Sequence, residues 1–248
     1  MAPRILLLQA RDADDPMRRS EVLSFARTSG LAPEQFGTHD LLTGPPDLEQ
    51  VLAHDALMVG GSGDYYVSRR DLPEFDALLD ALRRVVDAGH PTFASCFGFQ
   101  LLTVALGGEI VHDPDTTEVG TYELRLTDPG ARDPLLGRLP ARFMAQLGRK
   151  DRASRLPDGL EPLASSALNP HQAFRVPDKP VWATQFHPEL DVESNRERYL
   201  RYLEGYAQHL DEDARREADQ RFHPSPEASS LIPTFLELVF GPTGGRTG

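Results

Sequence analysis

Short apolar runs alternate with amphipathic segments over the first hundred residues, and this alternation constrains the fold more than any other feature. Residues 4–8, 56–59 and 91–94 are short, largely apolar runs, typical of strands buried on both faces of a parallel sheet. Residues 17–29 and 75–86 between them have the apolar spacing of helices. The alternation predicts an α/β fold of three layers, with helices on both faces of a mostly parallel central sheet.

Local signals set the ends of these two predicted helices. The first is expected to stop at Gly30. Asp71, with Glu74 three residues later, gives a capping signal for the second helix, and Gly89 gives its stop.

From Glu109 onward the pattern changes to short β-like stretches separated by turns rich in Pro, Gly and Asp. These stretches are residues 109–112, 120–127, 163–166 and 181–186. Because no strong helical pattern lies between them, the sequence predicts a mixed or antiparallel extension of the same sheet.

Beyond Pro188 the chain is predicted to be helical. Ser194 with Glu197 can cap a first helix. Its apolar face would carry Tyr199, Tyr202, Leu203, Tyr206 and Leu210. A second, shorter helix is predicted from the spacing of Leu231, Phe235, Leu238 and Val239.

We expect one domain over residues 1–190 and a helical extension over residues 191–248 that packs on it. The link over residues 211–230 is charged and contains two prolines, and residues 241–248 are expected to fray. The helices of the extension could cover a site, pack on the sheet edge or form the contact of a homodimer. The sequence leaves these three open.

Charge and cysteine content exclude several classes of function. The net charge is −12 with acidic residues spread along the chain, and no basic patch offsets it, so no nucleic-acid partner is expected. No apolar run approaches the ~20 residues of a membrane span, and residues 5–8 are too few for a signal-peptide core. A cytoplasmic protein without a membrane partner is expected.

The single cysteine, Cys96, excludes an internal disulfide and a paired-cysteine zinc site, and neither a metal nor a cofactor is expected.

Cys96 follows the third predicted strand and precedes a helical pattern. The residues two before and two after it, Ala94 and Gly98, are small, as the tight turn of a nucleophile elbow requires. At a helix N-terminus, the unsatisfied N–H groups and the helix dipole favour a thiolate. The alternative is a buried structural cysteine, a common fate for a free thiol.

His187 and Glu189 follow the last predicted strand. In an extended chain, residues two apart point to the same side, and Pro188 between them keeps the segment extended. A carboxylate beside an imidazole fixes its tautomer and stabilises the imidazolium. Taken alone, a His-Pro-Glu segment is more often a capped turn than part of a catalytic site. The segment is a candidate because it and the Cys96 turn both follow strands of one predicted sheet, and such folds place their sites at the ends of those strands.

A glycine-rich segment, residues 60–63, follows the second apolar run. Backbone N–H groups there could approach a ligand closely, as an oxyanion hole requires. A phosphate loop is disfavoured because no Lys-Ser or Lys-Thr follows. A plain surface turn is the remaining alternative.

Together, residues 96–100 (CFGFQ), residues 185–189 (QFHPE) and the glycine pair at 60–61 resemble the class I glutamine amidotransferases, most closely the stand-alone, GMP-synthetase-like members. The resemblance extends from the N-terminus to about Leu190. It implies a flavodoxin-like arrangement of the sheet and a glutamine-hydrolysing activity.

The resemblance implies a role for each matching residue. Cys96 would be the nucleophile, His187 the general acid and base, and Glu189 its orienting carboxylate. The backbone N–H groups of Gly61 and Phe97 would form the oxyanion hole. The thiolate would attack a γ-carboxamide, ammonia would leave, and water would hydrolyse the γ-glutamyl thioester.

Four residues are implied in substrate binding by the same resemblance: Gly60, Gln100, Arg149 and Asp151. Residues 146–151 look like the family's substrate-side loop, in which a histidine commonly precedes the aspartate by two. Arg149 stands at that position here. It could signal a different γ-glutamyl substrate, or its side chain could point to solvent.

Three functions are compatible with these residues. The protein could hydrolyse glutamine or another γ-glutamyl compound on its own, the latter as a γ-glutamyl peptidase. It could be a glutaminase subunit that requires a separately encoded synthetase. It could also be a non-catalytic regulatory homologue, although keeping the nucleophile, base, carboxylate and Gln100 together argues against that.

Overall fold

The computed structural model describes residues 3–202 and 220–241. The strands in these residues are β1 (Ile5–Ala10), β2 (Phe36–Asp40), β3 (Ala56–Ser62), β4 (Thr92–Ser95), β5 (Glu109–His112), β6 (Glu118–Leu126), β7 (Arg142–Arg149), β8 (Asp151–Arg155), β9 (Ala164–Ser165), β10 (Ala173–Arg175) and β11 (Val181–Thr184). The helices are α1 (Met17–Ser29), α2 (Leu48–Leu52), α3 (Phe75–Asp87), α4 (Phe97–Ala105), α5 (Asp128–Arg132), α6 (Val192–Arg201), α7 (Pro226–Ser229) and α8 (Leu231–Phe240).

Nine strands form the central sheet, in the order β2-β1-β3-β4-β11-β10-β9-β6-β7. The first five are mutually parallel, and the remaining four extend the sheet in antiparallel fashion. The parallel half has the strand order of flavodoxin-like folds, which place ligands at the carboxyl ends of the strands. The predicted α/β class and the antiparallel extension are confirmed.

Helices cover both faces of the sheet. Leu6 and Leu8 of β1 pack in a core with α3 and α4, whereas Ile5 and Leu7 pack in a second core with α1 and α8. Because successive side chains of a strand point to opposite faces, one continuous apolar strand supplies both cores. Each such side chain contributes roughly 1.5–3 kcal/mol through burial. The predicted three layers are confirmed.

The predicted stretch at residues 109–112 is a strand, but it does not extend the central sheet. It pairs with β8 in a separate two-stranded antiparallel sheet. Ile110 packs against the core of α3 and α4, so this small sheet lies over the helical layer rather than at the edge of the central sheet.

Two predicted helix caps are wrong. α3 begins at Phe75, after Glu74 in a left-handed conformation with φ 49° and no side-chain cap. Asp71 instead accepts the Tyr66 N–H at 3.0 Å. α6 is capped by Asp191, whose Oδ1 accepts the Ser194 N–H at 2.8 Å, so Ser194 is the reciprocal partner and not the cap.

The predicted second C-terminal helix is confirmed as α8, and its Phe235 ring lies against those of Phe93 and Trp182 in the sheet. This part of the C-terminal segment therefore belongs to the three-layer core. Residues 203–219 and 242–248, which include the predicted Leu203, Tyr206 and Leu210 face and most of the predicted frayed end, lie outside the described residues. The boundary at residue 190 stays a prediction. None of the described helices is long and apolar enough to cross a membrane.

Candidate active site

Cys96 lies in the turn between β4 and α4, as the sequence predicts. Its φ of 50° and ψ of −101° are unusual for a residue with a side chain, and such strain is characteristic of a nucleophile elbow. Its N–H donates to the Thr184 carbonyl at 2.8 Å, which fixes the turn to β11. The thiol is thereby held at the N-terminus of α4.

Gly98 explains how α4 comes so close to the sheet. A Cβ at this position would lie 2.6 Å from the Val59 carbonyl oxygen of β3. A larger residue would push the helix away from the strand, and the position of Cys96 would shift with it. The small residue that the elbow requires two positions after the cysteine is therefore needed here for packing.

His187 and Glu189 follow β11, the neighbour of β4 in the sheet. The His187 N–H donates to the Gln146 carbonyl at 2.8 Å, and Nδ1 lies 2.7 Å from Glu189 Oε1. Cys96 interacts electrostatically with the ring, and both residues line the same cavity. The structure thus brings together the three side chains that the sequence singled out, in the order thiol, imidazole, carboxylate.

Opposing effects set the charges of this group. Burial lowers the pKa of His187, but the electrostatic attraction of Cys96 and Glu189 and the hydrogen bond to Glu189 outweigh it and raise the pKa to about 9. Burial likewise disfavours a charged Glu189, yet His187 and Arg198 hold its pKa below the usual value. The arrangement therefore favours an imidazolium beside a carboxylate.

The raised pKa of His187 predicts how stability depends on pH. The fold stabilises the imidazolium, so its contribution is complete below pH 6.5, the unperturbed value, and is lost as the pH rises through about 9. Between pH 6.5 and about 9, we expect the free energy of unfolding of the wild type to fall by on the order of a few kcal/mol more than that of the His187→Gln variant. Urea unfolding of both proteins at the two ends of the window measures it. Parallel pH dependences in the two proteins would contradict the expectation.

Gly60 and Gly61 are part of β3 and do not follow it as predicted. The Gly61 N–H donates to Glu21 Oε1 at 3.1 Å, so in this conformation it is not aimed at a substrate oxygen, contrary to its predicted oxyanion role. A Cβ on Gly60 would lie 2.5 Å from Glu21 Oε1, and Gly60 does not line the cavity at Cys96. The buried Glu21, which the motif does not contain, is the acceptor that holds the Gly61 N–H.

The Phe97 N–H belongs to the first residue of α4 and has no intrahelical acceptor. Phe97 also lines the cavity. Its role as an oxyanion donor stays a prediction.

Gln100 and Asp151 line the cavity, and both are fixed by the protein. Gln100 Nε2 donates to the Asp151 carbonyl at 3.0 Å and lies 3.2 Å from Gln185 Oε1. The Asp151 carboxylate is 2.9 Å from His112 Nδ1 and accepts the Ser68 N–H at 3.0 Å. These contacts hold the two side chains in place at the cavity, where substrate contact stays a prediction.

Arg149 does not point to solvent, so that alternative is wrong. Its side chain has no exposed surface and pairs with the equally buried Glu118, with Nε at 2.8 Å and Nη2 at 2.5 Å from Oε2. The segment predicted as a loop is the end of β7 and the start of β8. Arg149 also lines the cavity at Cys96, and its contact with a substrate stays a prediction.

The cavity wall contains residues that sequence reasoning did not assign to a site. Four tyrosines contribute: Tyr65, Tyr66, Tyr199 and Tyr202. Asn195 and Arg198 of α6 complete one side, so the start of the predicted C-terminal extension borders the site. Behind that wall lie Glu21 and Arg11, from α1 and the end of β1. No local pattern signals them, because only the fold brings the three segments together.

Within the described residues, no group of three or more His, Cys, Asp and Glu side chains is arranged to hold a metal ion.

The sequence profile described as "Glutamine amidotransferase class-I" matches residues 46–203. This covers more than half of the chain, and the chain belongs to the class I glutamine amidotransferase family.

Curated proteins with similar sequences include GMP synthases. A GMP synthase [glutamine-hydrolyzing] of Streptomyces coelicolor is 28% identical over 157 residues, which is 63% of this chain and 28% of that protein. A subunit of GMP synthase [glutamine-hydrolyzing] from Methanocaldococcus jannaschii is 29% identical over 118 residues, 48% of this chain and 61% of that protein. The matches thus span under two thirds of each relative's length.

Solved structures share the fold over nearly the whole chain. A glutamine amidotransferase from Methylobacillus flagellatus superposes with a TM-score of 0.73 at 19% identity, covering 100% of this chain and 99% of the other. One from Thermotoga maritima gives 0.69 at 16% identity, covering 96% and 98%. At these identities the likeness concerns the fold.

Proposed function

We propose that this protein is a cysteine-dependent glutaminase, which cleaves the γ-carboxamide of glutamine through a thioester on Cys96 and releases ammonia. The observation that carries the proposal is the placement of Cys96, His187 and Glu189 just after two adjacent parallel strands, with Cys96 and His187 lining one cavity and His187 hydrogen-bonded to Glu189.

In the first half-reaction, the Cys96 thiol gives its proton to His187 Nε2, and the thiolate sulfur attacks the carboxamide carbon. The negative charge that develops on the oxygen would be stabilised by the Phe97 N–H. His187 returns the proton to the departing nitrogen, so ammonia leaves and the γ-glutamyl thioester remains. The Gly61 N–H would become a second donor to this oxygen only if its hydrogen bond to Glu21 were broken.

In the second half-reaction, His187 removes a proton from water, which attacks the thioester carbon. Glutamate leaves as the sulfur recovers the proton through His187. Glu189 holds the Nδ1–H tautomer throughout and stabilises the imidazolium whenever it forms. The site therefore replaces one slow amide hydrolysis with two assisted steps.

A γ-glutamyl peptidase is the second candidate, and the wall of the cavity favours it. The four tyrosines there offer apolar and hydrogen-bonding surface beyond the thiol, which suits a leaving group larger than ammonia. Separately, the similarity to the Methanocaldococcus jannaschii GMP synthase subunit supports a role as the glutaminase subunit of a separately encoded synthetase.

The test is the release of glutamate and ammonia or amine by the purified protein, with L-glutamine and a set of γ-glutamyl dipeptides as substrates. D-glutamine and L-asparagine serve as matched controls for stereochemistry and chain length. We expect turnover of L-glutamine that both controls lack. Preference for a dipeptide would favour the peptidase, and activation by an added synthetase would favour the subunit role. No turnover of any γ-glutamyl compound, with or without a synthetase, would contradict the proposal.

A further inference from the structure

A row of buried groups of alternating charge extends from the catalytic carboxylate into the protein. It begins at Glu189 and continues through Arg198, Glu21 and Arg11 to Asp15. These residues come from four separate segments: the end of β1 with its loop, α1, the end of β11 and α6. None of them is at a position that the sequence motifs mark, apart from Glu189 itself.

Arg198 joins the row to the triad. Its Nη1 lies 3.5 Å from Glu189 Oε1, the same oxygen that accepts from His187, and its Nη2 lies 3.5 Å from Glu21 Oε1. Glu21 in turn is held by Arg11 in a fork, with Nη2 at 3.0 Å and Nε at 3.2 Å. Two buried cations therefore face two buried carboxylates.

The far end of the row fixes α6. Arg11 Nη1 donates to the Tyr202 hydroxyl at 2.6 Å, and that hydroxyl donates to Asp15. Arg201 Nε lies 3.5 Å from the same Asp15 carboxylate. The helix that carries Arg198 is thus tied at its end to the loop after β1.

Stability alone is a weak reason for such a row. Removing several charges from water costs several kcal/mol for each ion, and well-packed apolar residues often replace buried ion pairs without loss. The proximity of Arg198 to Glu189 points to a task at the triad.

We propose that Arg198 is a positioning residue for the triad: held by Glu21, it keeps Glu189 ionised and in place while the His187 ring is neutral. This inference rests on the proposed function, in which His187 alternates between charged and neutral forms.

The reason lies in the thioester stage. Once His187 has given its proton to the leaving group, Glu189 loses the cation on its Oε1 and would stand as a single negative charge in a buried site. Arg198 remains as its counter-charge. Without it, Glu189 would draw a proton or turn away, and the ring would lose its orientation for the attack of water.

Several elements contribute charged or titratable groups around the His187 imidazole. They are Cys96 from the β4–α4 turn, Glu189 from its own segment, Arg198 from α6 and, one contact further, Glu21 from α1 and Arg11 from the end of β1. The charge of Arg198 opposes the imidazolium, whereas that of Glu21 favours it.

The experiment measures the charge on His187 without any turnover. Iodoacetate is an anion, so its rate of reaction with Cys96 falls at alkaline pH when the imidazolium loses its charge. Because Cys96 is the only cysteine of the chain, loss of free thiol reports this reaction alone. The midpoint of the alkaline fall is compared between the wild type and three variants.

Opposite shifts are expected from the two partners. Arg198→Met removes a cation near the imidazolium and should raise the midpoint by about one pH unit. Glu21→Gln removes a negative charge that partly neutralises Arg198, so it should lower the midpoint. Arg198→Lys keeps the charge and should restore the wild-type midpoint. In glutamine hydrolysis, Arg198→Met should lower kcat by about tenfold or more while changing KM little.

A purely structural role would lower the melting temperature of both variants and leave the midpoint unchanged, and that result would overturn the inference. If Arg198→Met does not fold, Glu21→Gln decides: a lowered midpoint supports the inference and an unchanged one overturns it. Because alkylation needs no substrate, a wild type that hydrolyses nothing would count against the proposed function and leave this measurement intact.

Discussion

Cys96→Ala is expected to lower glutamine hydrolysis by about 10⁴-fold or more, because nothing else at the site can form the thioester. The fold should persist. Within the described residues, the hydrogen bond of the thiol is a long one, 3.9 Å, to the Gly148 carbonyl, and alanine tolerates the strained backbone at this position no worse than cysteine does. Ammonia release and thermal unfolding of the same preparation give the two results.

Two further variants separate chemistry from backbone strain. Cys96→Ser keeps the shape but supplies a poorer nucleophile, so it should be nearly as inactive as Cys96→Ala. Cys96→Gly relieves the positive φ and should unfold at a higher temperature than Cys96→Ala with equally little activity. Retention of more than a few per cent of the wild-type rate by Cys96→Ala would rule out the nucleophile.

The second largest effect is expected from Glu189→Gln, which should lower kcat by about 10³- to 10⁴-fold, as in other triads that lose their carboxylate. The amide can still touch His187 Nδ1 but cannot stabilise the imidazolium. It also leaves Arg198 without its buried counter-charge, so the melting temperature should fall. Steady-state rates with glutamine and a thermal scan measure both effects.

Glu193→Gln is the matched control, since Glu193 is an exposed glutamate nearby on α6. It should change neither the rate nor the melting temperature appreciably. Wild-type rates from Glu189→Gln would mean that another carboxylate orients the ring, and Glu21 is the buried candidate on the other side of Arg198.

The fold was predictable where the pattern is local and apolar. β1, β3 and β4 contain short runs of apolar residues because both faces of each strand are buried. α3 carries one clear apolar face. β2, with the sequence FGTHD, was missed because an edge strand with polar residues has no such signature. The cap expected at Asp71 failed because its carboxylate binds the Tyr66 N–H instead.

The site was predictable to the extent that its residues follow adjacent strands. Thr184 pairs with Ser95 in the register of β11 and β4, so the segments that follow these strands lie side by side, and Cys96 and His187 line one cavity. Gly61 and Arg149 are each held by a carboxylate far away in the sequence, Glu21 or Glu118, which the motifs do not contain. Such partners carry no local pattern in the sequence.

The most direct test of the account is covalent labelling of Cys96 by a diazo-ketone analogue of glutamine, followed by intact-protein mass spectrometry. The analogue needs both a glutamine pocket and an activated thiolate, and the chain has one cysteine for it to modify.

We predict one label for each chain, located at Cys96, whose formation L-glutamine slows and His187→Gln abolishes. D-glutamine should give no protection. A protein that takes no label, or one whose labelling L-glutamine does not affect, would contradict the assignment of Cys96 as the nucleophile of a glutamine-binding site.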